Sequence, residues 1–167
     1  MKKIVLSICI LLVSSVTFHL NAANNFNGKA LNIIAHADNA PVVKSYLALK
    51  DALAADDPAA AKQAAEALKG AASNMKGESK NLKALQKESK AMAGAADLKS
   101  QRALMNDLST SLWALLKEEG STETLYLAYC PMAKASWLSN EKAITNPYYG
   151  KSMFSCGTVK ETLEAKQ

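Results

Sequence analysis

The sequence predicts a mainly α-helical domain, an antiparallel helical bundle followed by a small C-terminal β-hairpin and a packed loop. Three observations carry that expectation. Between Ala48 and Ala72, 12 of 25 residues are Ala, the strongest helix former. Helix-boundary residues recur at Asp56-Asp57-Pro58, at Gly94 with Asp97, and at Glu118-Glu119-Gly120. After Gly120 the chain turns β-branched and aromatic.

The elements follow in order. Met1-Lys2-Lys3, the apolar run from Ile4 to Val13 and the small pair Ala22-Ala23 have the three-part layout of a secretory signal peptide over residues 1–23. The apolar run is too short for a stable membrane span. Ile8 before Cys9 argues against a lipidated cysteine, so no membrane anchor is expected after cleavage. The expectation is a periplasmic or secreted protein, exported by this segment. Residues 24–40 have no clean period and are expected to form a leader. Residues 41–167 would be a single helical-bundle domain with a Cys/Met hairpin at its end.

From Pro41, the positions Val42, Val43, Tyr46, Leu47, Leu49 and Leu53 predict a first helix. Asp57 can cap a second, with Pro58 at its first position, where the missing N–H costs nothing. Its apolar stripe is Ala61, Ala64, Ala65, Leu68 and Ala72, and Gly77 marks its end. A third helix, over about residues 78–93, has the thin stripe Leu82, Leu85 and Met92 and is broken by Gly94. Asp97 can cap a fourth, whose buried face is Leu104, Met105, Leu108, Leu112, Leu115 and Leu116, with Trp113 beside it. Thr122–Cys130 predicts a strand, and Met153–Val159 a second one with Gly157 at a bend. Tyr126, Tyr129, Trp137, Tyr148, Tyr149 and Phe154 crowd this end, so the loop between the strands is expected to pack down, with Trp137 and the tyrosines as its lid.

Charge excludes some functions. The 167-residue chain has a formal charge of +5, and Lys2 and Lys3 leave with the signal peptide. Arg102 is the only arginine. Nucleic-acid sites favour arginine forks and interleaved aromatics, so nucleic acid is set aside. Lys76, Lys80, Lys83, Lys87 and Lys90 recur at helical spacing and are expected to form a solvated face. Serine hydrolysis lacks a nucleophile elbow, phosphate-binding glycine loops are missing, and one His remains after cleavage. No enzyme activity is expected. Met75, Met92 and Met105 are expected to be packing residues, and His36 a solvated side chain or an added ligand.

Chemistry concentrates at the two remaining cysteines. Cys130-Pro131-Met132 places a thiol and a thioether two residues apart, and Met153-Phe154-Ser155-Cys156 repeats both donors in reverse order. Thiolate and thioether are soft ligands that select Cu(I), with Ag(I) as an analogue. If the strands pair, four sulfurs from Cys130, Met132, Met153 and Cys156 could converge. The spacing is not that of a zinc site. An even pair in an exported protein equally suggests one disulfide, closing a loop of about 25 residues and worth roughly 3 kcal/mol.

Several groups together resemble a known family. They are Leu125-Tyr126, Tyr129-Cys130-Pro131-Met132-Ala133, Trp137-Leu138-Ser139, Ile144 with Asn146-Pro147-Tyr148-Tyr149-Gly150, and Met153 with Cys156-Gly157. Upstream, Tyr46-Leu47, Ala52-Leu53, Asp56-Asp57, Gln101-Arg102 and Leu108-Ser109 fit as well. The chain, over about residues 40–163, resembles the bacterial exported family labelled domain of unknown function 3347. It departs in a shorter segment between Ala133 and Trp137. The resemblance implies association with periplasmic subunits of heavy-metal efflux systems, and it implicates Cys130, Met132, Met153 and Cys156 as ligands. Two functions are therefore expected in competition. One is a periplasmic Cu(I)/Ag(I)-handling protein accessory to efflux; the other is a disulfide-stabilised interaction module without metal.

Overall fold

The computed structural model describes residues 39–166. The expected signal peptide, the leader up to residue 38 and His36 lie outside them. Four helices come first: α1 (Ala40–Ala54), α2 (Pro58–Asn74), α3 (Lys80–Gly94) and α4 (Leu98–Glu119). Strands β1 (Leu125–Cys130), β2 (Ala135–Ser139) and β3 (Thr158–Leu163) follow, with a 3-10 turn at Gly150–Met153. The domain is mainly α with one small antiparallel sheet. Among the described residues no helix is long and apolar enough to cross a membrane.

The helix starts obey their capping residues. The Asp57 carboxylate accepts the Ala59 and Ala60 N–H groups at 3.0 Å each, with Pro58 at the first helical position. Asp97 does the same for Ser100 at 2.7 Å, and Ser79 for Leu82 at 3.1 Å. The buried residues of α2 are the expected stripe, Ala61, Ala64, Ala65, Leu68 and Ala72. With no side chain longer than Ala at four of those positions, α2 can lie close against both α1 and α3, its two helical neighbours. On α4, Leu104 is only half-buried, and Gln101 and Ser109 take up buried positions. Gly94 closes α3 as its last residue, and α2 stops at Asn74, short of Gly77. Met75, Met92 and Met105 are buried in the core, while the lysines from Lys76 to Lys90 are exposed.

The β region differs from the expected two-strand hairpin. The sheet has three strands in the order β2-β1-β3, so β1 is central and antiparallel to both neighbours. The strand expected over Met153–Val159 starts at Thr158, and Met153 belongs to the 3-10 turn. β2 lies in the segment expected to be loop. It brings Trp137 opposite Ala128 and buries it completely, so Trp137 is core and not a lid. Its ring meets Tyr148 edge-on at 6.1 Å. β3 is exposed along almost its whole length and pairs with β1 around a bulge at Leu127/Ala128.

Two polar clusters lock the sheet and its loop onto the helices. In the first, Tyr46 of α1 is wholly buried; its hydroxyl accepts the Leu138 N–H at 3.0 Å and lies 2.6 Å from the Ser109 hydroxyl of α4. Ser109 in turn donates to the Met105 carbonyl. Asn106 of α4 accepts the Ser136 N–H at 3.1 Å, holding β2 from the same side. In the second, Arg102 donates to the Pro147 carbonyl at 2.8 Å, to the Leu53 carbonyl at 2.7 Å and to the Asp56 carboxylate. The other Asp56 oxygen accepts the Lys151 N–H at 2.9 Å. Gly150 is required here: a Cβ would stand 2.1 Å from Asp56 Oδ1, and its φ of +56° suits glycine.

Removing the Tyr46 hydroxyl strands the buried Leu138 N–H. Tyr46→Phe is expected to lose about 1–3 kcal/mol of stability in urea unfolding, and a loss under about 0.5 kcal/mol would contradict the linking role. The Arg102 hydrogen bond, then the Lys151 N–H, hold the Asp56 carboxyl below its ordinary pKa. With the folded-state pKa the lower one, this stabilisation is full above the unfolded value of about 3.9 and is lost as pH falls through the folded value. Asp56→Asn should therefore unfold more easily than the wild type at neutral pH. The gap between them should narrow as urea midpoints are followed below about pH 4.

Candidate metal centre

Cys130 reaches the site as the last residue of the central strand, where it is fully buried. Pro131 opens a four-residue turn to β2, and Lys134 closes it in the left-handed region at φ 51°. The turn folds back over the sulfur, and the Ala133 N–H lies 3.4 Å from Cys130 Sγ.

Cys156 arrives on the loop between β2 and β3, and Asn146 shapes that loop. Asn146 is fully buried with its hydrogen-bonding groups engaged. Its backbone N–H donates to the Phe154 carbonyl at 2.7 Å, and its carbonyl accepts from Gly150 at 3.2 Å. The side-chain oxygen accepts the Tyr148 N–H at 2.8 Å and the Tyr149 N–H at 3.3 Å. The side-chain nitrogen donates to the Cys156 carbonyl at 2.7 Å. The next residue must be glycine: at Gly157 a Cβ would meet Trp137 at 2.6 Å and the Tyr129 carbonyl at 3.2 Å, and φ is +152°. This close approach seats the Cys156 segment against the end of the central strand.

The two cysteines end as free thiols with their sulfurs 3.4 Å apart, Cys130 buried and Cys156 partly exposed. Their environments are unequal. Burial pushes the Cys130 thiol up, but hydrogen bonds from the Ala133 N–H, the Cys156 thiol, the Asn146 amide and the Met132 N–H outweigh it and bring the pKa below the ordinary value. Cys156 is pushed up by its hydrogen bond to Cys130, by desolvation and by the charge on its neighbour. The first proton to leave the pair therefore comes from Cys130.

The four expected ligands are thus placed differently. Cys130 and Cys156 are brought together. Met132, on the turn, approaches both sulfurs through its backbone N–H, while the residue is 63% exposed. Met153 is half-buried, and its carbonyl accepts the Cys156 N–H at 3.1 Å. Among the described residues no group of three or more His, Cys, Asp or Glu side chains could hold a metal ion. The donors that the structure brings together at the pair are the two sulfurs. Sequence reasoning overlooked Asn146 as a functional residue; its place in the Asn-Pro-Tyr-Tyr-Gly run was the one available signal.

The model of a family described as "Protein of unknown function (DUF3347)" matches residues 42–124. The match spans all but the first two residues of α1, the other three helices and the approach to β1, and it stops before the cysteine-bearing sheet. No curated protein and no solved structure matches the chain.

The Asn146 amide favours the Cys130 thiolate and ties down the Cys156 carbonyl. Asn146→Ala is expected to raise the pH at which the first thiolate appears in ultraviolet absorbance, and to cost about 1–3 kcal/mol in unfolding. An unchanged thiolate titration would show that the amide does not tune the pair.

Proposed function

We propose, for a chain that belongs through residues 42–124 to the family of unknown function DUF3347, that Cys130 and Cys156 bind a soft monovalent ion, Cu(I) or its analogue Ag(I). The observation that carries this reading is the reduced cysteine pair itself. Two sulfurs at metal–thiolate bond lengths of about 2.3 Å lie at most about 4.6 Å apart across one ion, and here they are separated by 3.4 Å. Thiolates select soft ions, and each cysteine has a methionine two or three residues away, Met132 and Met153, to add a thioether. The hydrogen bonds that lower the Cys130 pKa ease the loss of the proton that a bound ion must displace.

In this reading the four helices form an antiparallel bundle that acts as a rigid support for the sheet. The protein is exported by its N-terminal segment and buffers the ion in the periplasm. It passes the ion to a periplasmic subunit of a heavy-metal efflux system by exchange between soft donors. Exposed Met132, on its turn, suits the first contact of such an exchange.

A second reading is favoured by the same distance. Joined as a disulfide, the pair would pin the loop to the central strand, and exposed Met132 and Phe154 would form a protein-docking surface without metal.

A Cu(I) competition titration of the reduced protein separates them. The metal reading expects one ion per chain, uptake lost in Cys130→Ala, and affinity weakened about tenfold or more in the Met132→Leu/Met153→Leu double variant. Negligible uptake by the wild type would leave the docking reading.

A further inference from the structure

We infer that the Cys130–Cys156 pair undergoes thiol–disulfide exchange with small-molecule disulfides, that Cys156 is the point of entry, and that the resulting bond empties the metal site. The last step rests on the metal reading above. The first two rest on burial and distance alone.

An incoming disulfide must be attacked in line by a sulfur it can reach. Cys130 is fully buried at the end of the central strand, under the Pro131–Lys134 turn. Cys156 is partly exposed on its loop, two residues beyond exposed Phe154. The accessible sulfur therefore reacts first. The Cys156 thiol gives its proton to solvent, and its sulfur bonds to one sulfur of the oxidant. The oxidant's own S–S bond breaks, and one small thiolate leaves. The product is a mixed disulfide on Cys156.

Cys130 waits 3.4 Å away, with no side chain to rotate over a long path. Its sulfur bonds to Cys156 Sγ, the mixed disulfide breaks, and the second small thiolate leaves. Two electrons have passed from the protein thiols to the small disulfide, and the two thiol protons have gone to solvent. A sulfur–sulfur bond of about 2.05 Å requires the pair to close by little more than an ångström. Pro131 and Gly157 flank the two cysteines in the two chain segments that would move.

Once the bond has formed, both thiolates are consumed. Met132 and Met153 keep their thioethers, which are weaker donors for a monovalent soft ion. The same sulfurs cannot hold the ion and each other, so an oxidant of this class acts as a discharge signal for the site.

The test uses the chain freed of residues 1–23 and oxidised glutathione, followed by intact-protein mass spectrometry. Wild type should lose both thiols, release two glutathione thiols per chain and retain no adduct. Cys130→Ala should keep one glutathione on Cys156. Cys156→Ala should stay unmodified when folded and react once unfolded in urea. Equal adduct formation on the two folded variants, or a stable adduct on wild type, would overturn the order of attack. A second arm titrates Ag(I), which glutathione disulfide does not oxidise, into reduced protein and into protein oxidised and freed of glutathione. Uptake by the reduced form alone supports the discharge, and equal uptake by both overturns it. No uptake by the reduced form overturns the metal reading and the discharge with it, and the glutathione arms still decide the order of attack.

Discussion

The cysteine-bearing loop depends on one side chain, the chain's only arginine. Arg102 stands on α4 and donates to the last turn of α1 at Leu53, to Asp56 in the turn between α1 and α2, and to Pro147 in the loop after β2. A guanidinium offers several N–H donors in a fixed plane, and a lysine in its place could not reach three partners in fixed directions. The surroundings are shaped to admit it. Asp56 takes a left-handed conformation at φ 57°, and Gly150 leaves out the Cβ that would collide with both members of the pair. From Pro147 the restraint passes to its neighbour Asn146, from Asn146 to the Cys156 carbonyl, and so to the sulfur beside Cys130. The position of the Cys156 segment is thus tied to α4 and to the turn between α1 and α2.

The other thiol is positioned chiefly through the strands. Tyr46 joins α1 to β2 through the Leu138 N–H and to α4 through Ser109. Asn106 adds a second bond from α4 to β2 at Ser136, and Tyr148 of the loop returns to the Ser136 carbonyl. β2 then carries β1 by five paired positions, ending with Cys130 opposite Ala135. A buried hydroxyl that both accepts and donates resists displacement, because a vacated N–H would be left without water. Burial accordingly pushes the Tyr46 pKa far up and keeps the hydroxyl neutral.

These dependencies explain which features were legible in the sequence. The helices announced themselves because their signals are local: Asp57, Pro58 and Asp97 act within three residues of where they stand. The Ala61–Ala72 stripe has the period of a helix and was buried as read. β2 was missed because Ala-Ser-Trp-Leu-Ser alternates poorly and is buried at four of five positions, so it carries no face contrast. β3 was displaced for the opposite reason. Its residues are exposed at nearly every position, while the nearby apolar Met153-Phe154 pair drew the strand assignment into a 3-10 turn. Trp137 looked like a lid because aromatics in loops often pack over a site; its strand pairing puts it in the core. The meeting of Cys130 and Cys156 was suggested by the mirrored order of Cys and Met. Nothing local marked Arg102, whose partners lie 45–49 residues away, and the Asn-Pro-Tyr-Tyr-Gly run pointed to a turn at Asn146 but not to its bond with Cys156, 10 residues on.

Because noncovalent bonds hold both segments, with Asn146 shared between them, the 3.4 Å separation does not require a bond between the sulfurs. A disulfide that was the sole link between the two segments would let them drift apart on reduction. Here the reduced form keeps its geometry through Asn146 on one side and the strand ladder on the other. Dithiol and disulfide geometries at the pair would differ by small shifts of the two side chains. Burial makes the two cysteines unequal, since Cys130 is buried and Cys156 partly exposed. A change at the pair would leave the helices and the sheet in place, because the Arg102, Tyr46 and Asn146 hydrogen bonds that join them use neither sulfur.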